Sequence, residues 1–202
     1  MSAHPSRQEN NEFIFTDFLT FRPNMSPEEI LRAGSFGGTY FRDIVSSLTG
    51  QEYTNTWKEL PLEWLNGINI DEYVSSEKYR KNVNKYRVKC GSTLVEWENS
   101  GWINEIDPYG WFQWYCRFFQ GRRCEDDDRQ IKRFNRCASS SGRWRLALCK
   151  KISDKIINNA DFREALNDFT ISPGIRQTLQ HWAYCLTYED LKSYMAARKL
   201  LK

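Results

Sequence analysis

The residues of this sequence that are best suited to chemistry are arginines concentrated in its second half. Residues 117–151 contain eleven lysines and arginines and four acids, a net charge of +7, whereas the whole chain carries +3. A concentrated basic surface on a nearly neutral protein is typical of proteins that bind polyanions. We therefore predict phosphate or nucleic-acid contacts for seven arginines: Arg42, Arg117, Arg122, Arg123, Arg129, Arg133 and Arg136.

The same charges have a simpler interpretation. The arginines can pair with the acids at 125–128 and form only a solvated helix face, as runs of charge often do. The polyanion hypothesis requires the guanidinium groups to lie together on the outside of the protein. Arginines that are scattered, or neutralised by carboxylates, would remove its support.

A second set of residues with chemical potential is acidic. Asp126, Asp127 and Asp128 offer carboxylates for Mg²⁺, with Arg122 and Arg123 beside them for a phosphate. His181 offers a group that titrates near neutral pH. Three consecutive helical positions point in different directions, however. We therefore expect one aspartate to cap a helix, one to pair with an arginine and one to be solvated, and we predict no metal site and no cofactor.

His181 follows the same logic, because a single histidine beside Trp182 is more often structural than catalytic. No Ser–His–Asp or Cys–His arrangement is evident from spacing. The six cysteines do not have the spacing of zinc ligands either. Without a visible secretory signal, they are expected to be reduced thiols.

The glycine-rich segment at residues 34–43 has two interpretations. Backbone N–H groups, Thr39 and Arg42 can form a cradle for a phosphate. Alternatively, Gly34, Gly37 and Gly38 permit a tight turn in which the chain packs closely against a neighbour. The segment matches neither the P-loop nor the dinucleotide-binding pattern.

The element that organises these residues is an aromatic helix. Asp107 is predicted to be its N-cap, with Pro108 in the first position and Gly121 at the end. Trp111, Trp114, Tyr115 and Phe118 recur at steps of three and four, which predicts one buried face. In the alternative interpretation, Trp111 or Tyr115 stacks against a nucleobase.

The rest of the chain predicts a mainly α fold, because few stretches alternate with period two. Capping boxes begin helices at Ser26 and Thr93, and residues 44–48 continue a helical pattern. Residues 51–90 are expected to form an irregular loop region. We predict a disordered N-terminal tail over residues 1–11 and a single compact multi-helix domain over residues 12–202. No stretch approaches the 18 to 20 apolar residues of a membrane span, so we expect no membrane partner and an intracellular location, in the nucleus or cytoplasm.

Five segments together resemble a group of uncharacterised proteins from fungi, algae and large DNA viruses. The resemblance covers roughly residues 20–190, implies that the segments form one module, and transfers no activity. The segments are FGGTYFR at 36–42, DPYGWFQWYCR at 107–117, GRR at 121–123, DRQIKR at 128–133 and IRQTL at 175–179.

Three functions are consistent with these observations. The first is a nucleic-acid-associated protein, DNA-binding or RNA-binding, that uses the basic helical surface at 117–151. The second is an enzyme that acts on a phosphorylated or nucleic-acid substrate, and the third is a protein-interaction module. No helix-turn-helix, zinc-finger or RNA-recognition pattern is present, so the sequence indicates no base-specific readout.

Overall fold

The computed structural model describes residues 4–158 and 160–200, and these residues form a helix-rich fold. The α-helices are α1 Pro27–Arg32, α2 Leu62–Leu65, α3 Ile70–Tyr73, α4 Leu94–Asn99, α5 Trp111–Phe119, α6 Asp127–Ala138, α7 Arg143–Ile157, α8 Phe162–Asn167, α9 Pro173–His181 and α10 Tyr188–Ala197. A 3-10 helix covers Thr56–Glu59. Two antiparallel pairs of short strands complete the fold: β1 Ser6–Arg7 with β2 Phe13–Ile14, and β3 Ile44–Val45 with β4 Glu52–Tyr53.

The aromatic helix α5 lies in the centre of the hydrophobic core. Trp114, Tyr115 and Phe118 are fully buried, as their spacing predicts. Phe21 packs against all three rings, and its ring also meets Phe134 of α6 at a centroid distance of 4.8 Å. Because burying one large apolar side chain contributes about 1.5–3 kcal/mol, this cluster is a major source of stability.

The start of α5 differs from the prediction. Its N-cap is Gly110 rather than Asp107, and glycine has no side chain that could bond to the N–H groups of the helix. The hydroxyl of Tyr40 fulfils this role instead, because it accepts from the backbone N–H of Phe112 at 3.0 Å and of Gln113 at 3.1 Å. A residue distant in sequence therefore satisfies the free N–H groups of the first turn.

The second half of the chain is arranged around α7, which packs against α6, α8, α9 and α10. Its fully buried side chains, Leu148 and Ile152, belong to the same hydrophobic cluster as α5. The cluster thus links the aromatic helix to the C-terminal helices. The assignment of residues 12–202 to a single domain stays a prediction.

One local prediction is wrong where the structure describes it. Residues 44–48 do not continue a helix, because Ile44–Val45 pairs with Glu52–Tyr53 as a hairpin. In the predicted tail, Ser6–Arg7 pairs with Phe13–Ile14, and Arg7 bonds to Glu29 at 2.8 Å and stands over the Phe13 ring. The disorder of residues 1–11 stays a prediction. Residues 1–3 of that tail lie outside the described residues. The capping boxes at Ser26 and Thr93 are confirmed.

The glycines of the 34–43 segment are explained by close packing. Gly34 and Gly38 have φ of +59° and +83°, and a Cβ at either position would lie 2.0 Å from a backbone oxygen, of Val83 and Glu72 respectively. Only glycine combines this backbone conformation with this approach. The segment is thus held against residues 72–84, and Arg42 is fixed at its end.

None of the helices in the described ranges combines the length and the apolar character needed to cross a bilayer.

Candidate active site

Four of the arginines that the sequence predicted to bind phosphate form ion pairs with carboxylates of the protein. Arg117 bonds to Glu59 at 2.5 Å and to Asp107 at 2.9 Å, and Arg122 bonds to the other oxygen of Asp107 at 2.6 Å. Asp107 is fully buried. Its burial raises the pKa of the carboxyl, although the two guanidinium groups act in the opposite direction. This network fixes the start of α5 to its last turn.

The other two neutralised arginines lie elsewhere. Arg123 forms a two-pronged bond with Asp17, the shorter contact at 2.6 Å, and stands 3.8 Å above the Phe118 ring. Arg129 bonds to both oxygens of Asp126, at 2.5 and 2.8 Å. These contacts favour the simpler interpretation, in which the arginines form internal ion pairs, for Arg117, Arg122, Arg123 and Arg129.

Arg133 and Arg136 remain without a carboxylate partner in the part of the chain that the structure describes. Arg133 donates to the Trp102 carbonyl at 3.1 Å and to the Gln130 side chain at 3.0 Å. Arg136 is exposed one turn further along α6. Arg42 also lies apart from the four paired arginines, beside a cavity.

The acidic run does not form a metal site. Asp126 pairs with Arg129 and Asp128 is exposed, as predicted. The cap expected from one of the three aspartates is absent, because Asp126 holds the N-cap position of α6 without a side-chain cap bond. The Asp127 carboxylate accepts instead from the Trp114 indole at 2.8 Å and from the Cys124 backbone at 2.9 Å. Within residues 4–158 and 160–200, no group of three or more His, Cys, Asp or Glu side chains is placed to hold a metal ion.

A cavity of about 260 Å³ lies where the glycine-rich segment meets the end of α9. Its lining contains the cations Arg42 and Lys89, the Cys90 thiol and the His181 imidazole, together with one acid, Glu77. Aromatic and hydroxyl side chains complete the lining: Phe36, Thr39, Tyr40, Tyr79, Ser92, Thr93, Trp97 and Tyr109. This combination of apolar walls and few converging polar groups is characteristic of small-ligand sites.

The structure places the Cys90 thiol beside the His181 ring. Cys90 Sγ lies 4.0 Å from Nδ1 of His181. On the other side of the ring, Nε2 lies 2.5 Å from the carbonyl oxygen of Ser35. A carbonyl oxygen only accepts, so we assign the ring proton to Nε2, which leaves the lone pair of Nδ1 directed toward Cys90. The Gln177 amide donates to the same carbonyl and fixes this arrangement.

The imidazole of His181 is neutral at physiological pH. Burial lowers its pKa from 6.5 to about 4, against the opposing effect of the hydrogen bond to Ser35. Part of this burial comes from Phe36, whose ring stacks on the imidazole at a centroid distance of 4.5 Å. With this pKa, the neutral imidazole takes up a proton at Nδ1 only from a group that is, at that moment, a stronger acid than the imidazolium.

The Cys90 thiol is also uncharged at rest. Burial raises its pKa, while the Thr178 hydroxyl, at 3.6 Å from Sγ, acts to lower it. The loop that carries the thiol is held by the Val88 carbonyl, which accepts from the Tyr79 hydroxyl and the Asn84 amide, each at 3.0 Å. The pair therefore rests as a neutral thiol and a neutral imidazole in fixed positions.

The cations of the cavity are free for a ligand. Arg42 donates from Nη1 to the Thr39 carbonyl at 2.9 Å, and in the described residues it forms no ion pair. Lys89 is exposed, with its ammonium 5.5 Å from the centre of the Tyr79 ring. With His181 neutral and Glu77 included, the lining keeps a positive charge. The glycines at 34 and 38 are explained by close packing, whereas Thr39 and Arg42 of the same segment line the cavity; the phosphate cradle itself stays a prediction.

The aromatic helix and the cavity are connected through two tyrosines. The Tyr40 hydroxyl that caps α5 donates to the Tyr109 carbonyl at 2.6 Å, and the Tyr109 hydroxyl donates to the Arg42 carbonyl at 2.8 Å. The buried helix thereby determines where the backbone of Arg42 lies.

The sequence analysis identified Thr39, Arg42 and His181 but missed Lys89 and Cys90. A signal was present, since KCGST at 89–93 places a cation, a thiol, a glycine and two hydroxyls in succession, immediately before the capping box of α4. A larger but shallow depression of about 520 Å³, lined by Trp57, Leu62 and Ile70, contains no cation or thiol.

The structure thus combines a helix-rich fold with a cavity whose lining contains Arg42, Lys89 and a Cys–His pair. No family model, curated protein or solved structure matches the chain. The functional argument therefore depends on the residues of the cavity themselves.

Proposed function

We propose that this chain is an enzyme that acts on a small phosphorylated substrate bound in the cavity. The observation that supports the proposal is the convergence of the Cys90–His181 pair with Arg42 and Lys89 on one cavity. Perturbed titratable groups that line a cleft beside unpaired cations are characteristic of catalytic sites.

The anion-binding role is assigned to the two cations. The guanidinium of Arg42 keeps donors free beyond its bond to Thr39 and suits the planar, paired contacts that phosphate oxygens accept. Lys89 adds a mobile point charge at the rim. The exposed hydroxyl of Ser92 supplies a further donor. A cavity of about 260 Å³ suits a small molecule rather than a polymer.

The chemical role is assigned to Cys90 as nucleophile and His181 as its proton acceptor. As Sγ forms a bond to an electrophilic atom of the substrate, the thiol proton moves to Nδ1. The leaving group departs with the bonding electron pair and receives that proton from the imidazolium. Water then attacks the same substrate atom and gives a proton to Nδ1 of His181, and Sγ leaves with the bonding electron pair and takes that proton, which restores the thiol. Because the pKa of His181 is about 4, transfer of the thiol proton to Nδ1 is unfavourable until the new bond to Sγ makes that proton more acidic, whereas the return of the proton to the leaving group is favoured.

This assignment also bears on where the protein acts. A reducing compartment keeps thiols free for reaction, and all six cysteines are unpaired. We therefore retain the intracellular location, in the nucleus or cytoplasm, as part of the proposal.

Binding is tested by isothermal titration of the whole chain with inorganic phosphate. Arg42→Gln is expected to weaken binding by about tenfold or more, because it removes a charged hydrogen-bond donor. Arg163→Gln is the matched control, since Arg163 is exposed on α8 and does not line the cavity. Equal effects of the two substitutions, or no heat of binding in the unmodified protein, would refute the anion site.

Catalysis is tested separately, with a panel of phosphorylated metabolites and detection of products by mass spectrometry. Cys90→Ser and His181→Gln are expected to abolish turnover, whereas Cys185→Ser, at a partly exposed thiol outside the cavity, preserves it. Turnover that survives in Cys90→Ser would assign the chemistry to other groups. A protein that binds phosphate through Arg42 but turns over no compound would be a binding protein only.

A further inference from the structure

We propose that a second surface of this protein binds single-stranded nucleic acid. This Trp102 surface consists of Trp102, Arg133, Arg136, Arg143 and Trp182. It does not include any residue that lines the cavity, so the inference is independent of the proposed enzymatic function.

The first argument is charge. Residues 129–151 contain eight lysines and arginines and no acid. Arg129 and Arg145 are neutralised by Asp126 and Asp190. The other six have no ion pair among residues 4–158 and 160–200, and they are Lys132, Arg133, Arg136, Arg143, Lys150 and Lys151. Of the positive charge predicted for residues 117–151, six side chains on α6 and α7 therefore remain unpaired in the described part of the chain.

The second argument is the continuity of the surface. Arg133 stands over the rings of Trp102 and Trp182, with 5.7 and 5.4 Å from its guanidinium carbon to the ring centres. Arg133 and Arg143 both act on the thiol of Cys137, whose pKa is raised by burial and lowered by these two charges. Arg136 is exposed on α6, one turn after Arg133 and before the start of α7 at Arg143. The three guanidinium groups thus belong to one region.

The third argument is the environment of Arg133. Its guanidinium is half-buried, and its partners are a carbonyl, an amide and two indole rings, all of them uncharged. A guanidinium removed from water without a counterion is costly, and an anion on this surface would supply the missing charge. The successive phosphate groups of one strand would form ion pairs with Arg133, Arg136 and Arg143.

The fourth argument distinguishes a single strand from a duplex. Trp102 is 45% exposed, although it packs against an arginine and its carbonyl accepts from Arg129 and Arg133. An exposed indole beside guanidinium groups is a platform for an unstacked base, and bases are available for stacking in single strands. A duplex offers only its phosphates to such a surface.

The test is fluorescence anisotropy with labelled single strands of about 12 nucleotides, DNA and RNA, over a salt series. Heparin, a polyanion without bases, and a duplex of the same length are the comparison ligands. Trp102→Ala is expected to weaken single-strand binding by about fivefold or more and to leave heparin binding unchanged. Circular dichroism of each variant verifies that the fold is retained.

The charge contribution is measured with Arg136→Gln/Arg143→Gln, at two exposed positions. This variant is expected to reduce the slope of log affinity against log salt by about 1.4, since each lost phosphate contact contributes about 0.7. Lys81→Gln/Lys192→Gln removes the same charge from exposed positions elsewhere and is the matched control.

Three outcomes would overturn the inference: no binding at about 50 mM salt, equal binding of duplex and single strand that Trp102→Ala does not alter, or equal weakening by both charge variants. Binding of an acidic peptide but not of nucleic acid would assign the surface to a protein partner. Phosphate titrations at the cavity are unaffected by these variants, so failure here is distinguishable from failure of the proposed enzyme.

Discussion

Cys90 and His181 are separated by 91 positions in the chain, yet Sγ of the first lies 4.0 Å from Nδ1 of the second. The proton on the opposite nitrogen is engaged by Ser35, so the histidine has one acceptor and it faces the thiol. This relationship makes the cavity more than a depression in the surface, and it has consequences that can be measured without knowledge of the substrate.

The rate at which Cys90 is alkylated should depend on pH as expected for a thiol with a raised pKa. Because burial raises the pKa of this thiol, the rate of its reaction with iodoacetamide is expected to rise with pH to a midpoint above 9. Mass spectrometry of the Cys90 peptide over a pH series measures that midpoint. The urea-unfolded protein is the control, with its midpoint near the usual value for cysteine. A midpoint well below 9 would indicate a thiolate–imidazolium pair instead.

The stability of the protein should depend on pH through His181. Its pKa is about 4 in the folded protein and 6.5 as the ordinary value, so between these limits the unfolded state binds more protons. Stability is therefore complete above pH 6.5 and is lost as the pH falls toward 4. From pH 7 to pH 5 we expect a loss of about 2 kcal/mol in the free energy of unfolding.

Urea titrations of the wild type and of His181→Gln at the two pH values isolate this contribution. The variant lacks the titrating group, so the stability difference between the two proteins should shrink by that amount at pH 5. A difference that stays constant would mean that the imidazole is protonated in the folded protein near its ordinary pKa.

Asp107→Asn should destabilise the protein through the two arginines it neutralises. The carboxylate is fully buried and bonds to Arg117 and Arg122, so its loss leaves Arg122 without a charged partner in the described part of the chain. We expect a decrease of about 2–3 kcal/mol in the free energy of unfolding. Asp128→Asn, at an exposed position on α6, is the control and should cost less than about 1 kcal/mol.

Gly38→Ala should be far more damaging than Gly67→Ala. Both glycines have positive φ, but a Cβ at Gly38 would lie 2.0 Å from the Glu72 backbone oxygen, whereas in the described part of the chain a Cβ at Gly67 would point into open space. The second variant therefore measures the backbone cost alone, about 1–2 kcal/mol. A larger loss of stability in the first variant measures the close packing that positions Arg42. Equal losses would mean that the segment can move away.

Several features of this protein were determined by the sequence. The buried face of α5, the capping boxes of α1 and α4 and the pairing of Asp126 with Arg129 all depend on residues that follow one another at steps of three or four positions. Helical geometry fixes such relationships wherever the helix lies, so sequence spacing is sufficient to predict them. The polyanion hypothesis was likewise based on a pattern in the sequence, the concentration of lysines and arginines at 117–151.

Tertiary structure decided which charges and which thiol are available for function. Arg123 is neutralised by Asp17 at a separation of 106 positions and Arg117 by Glu59 at 58, and no spacing rule indicates either pair. Likewise, Cys90 meets His181 only because the glycine-rich segment packs against residues 72–84 and α9 ends beside it. Contacts of this kind form when distant segments dock on the aromatic helix, and the chain between them carries no periodicity that specifies the result.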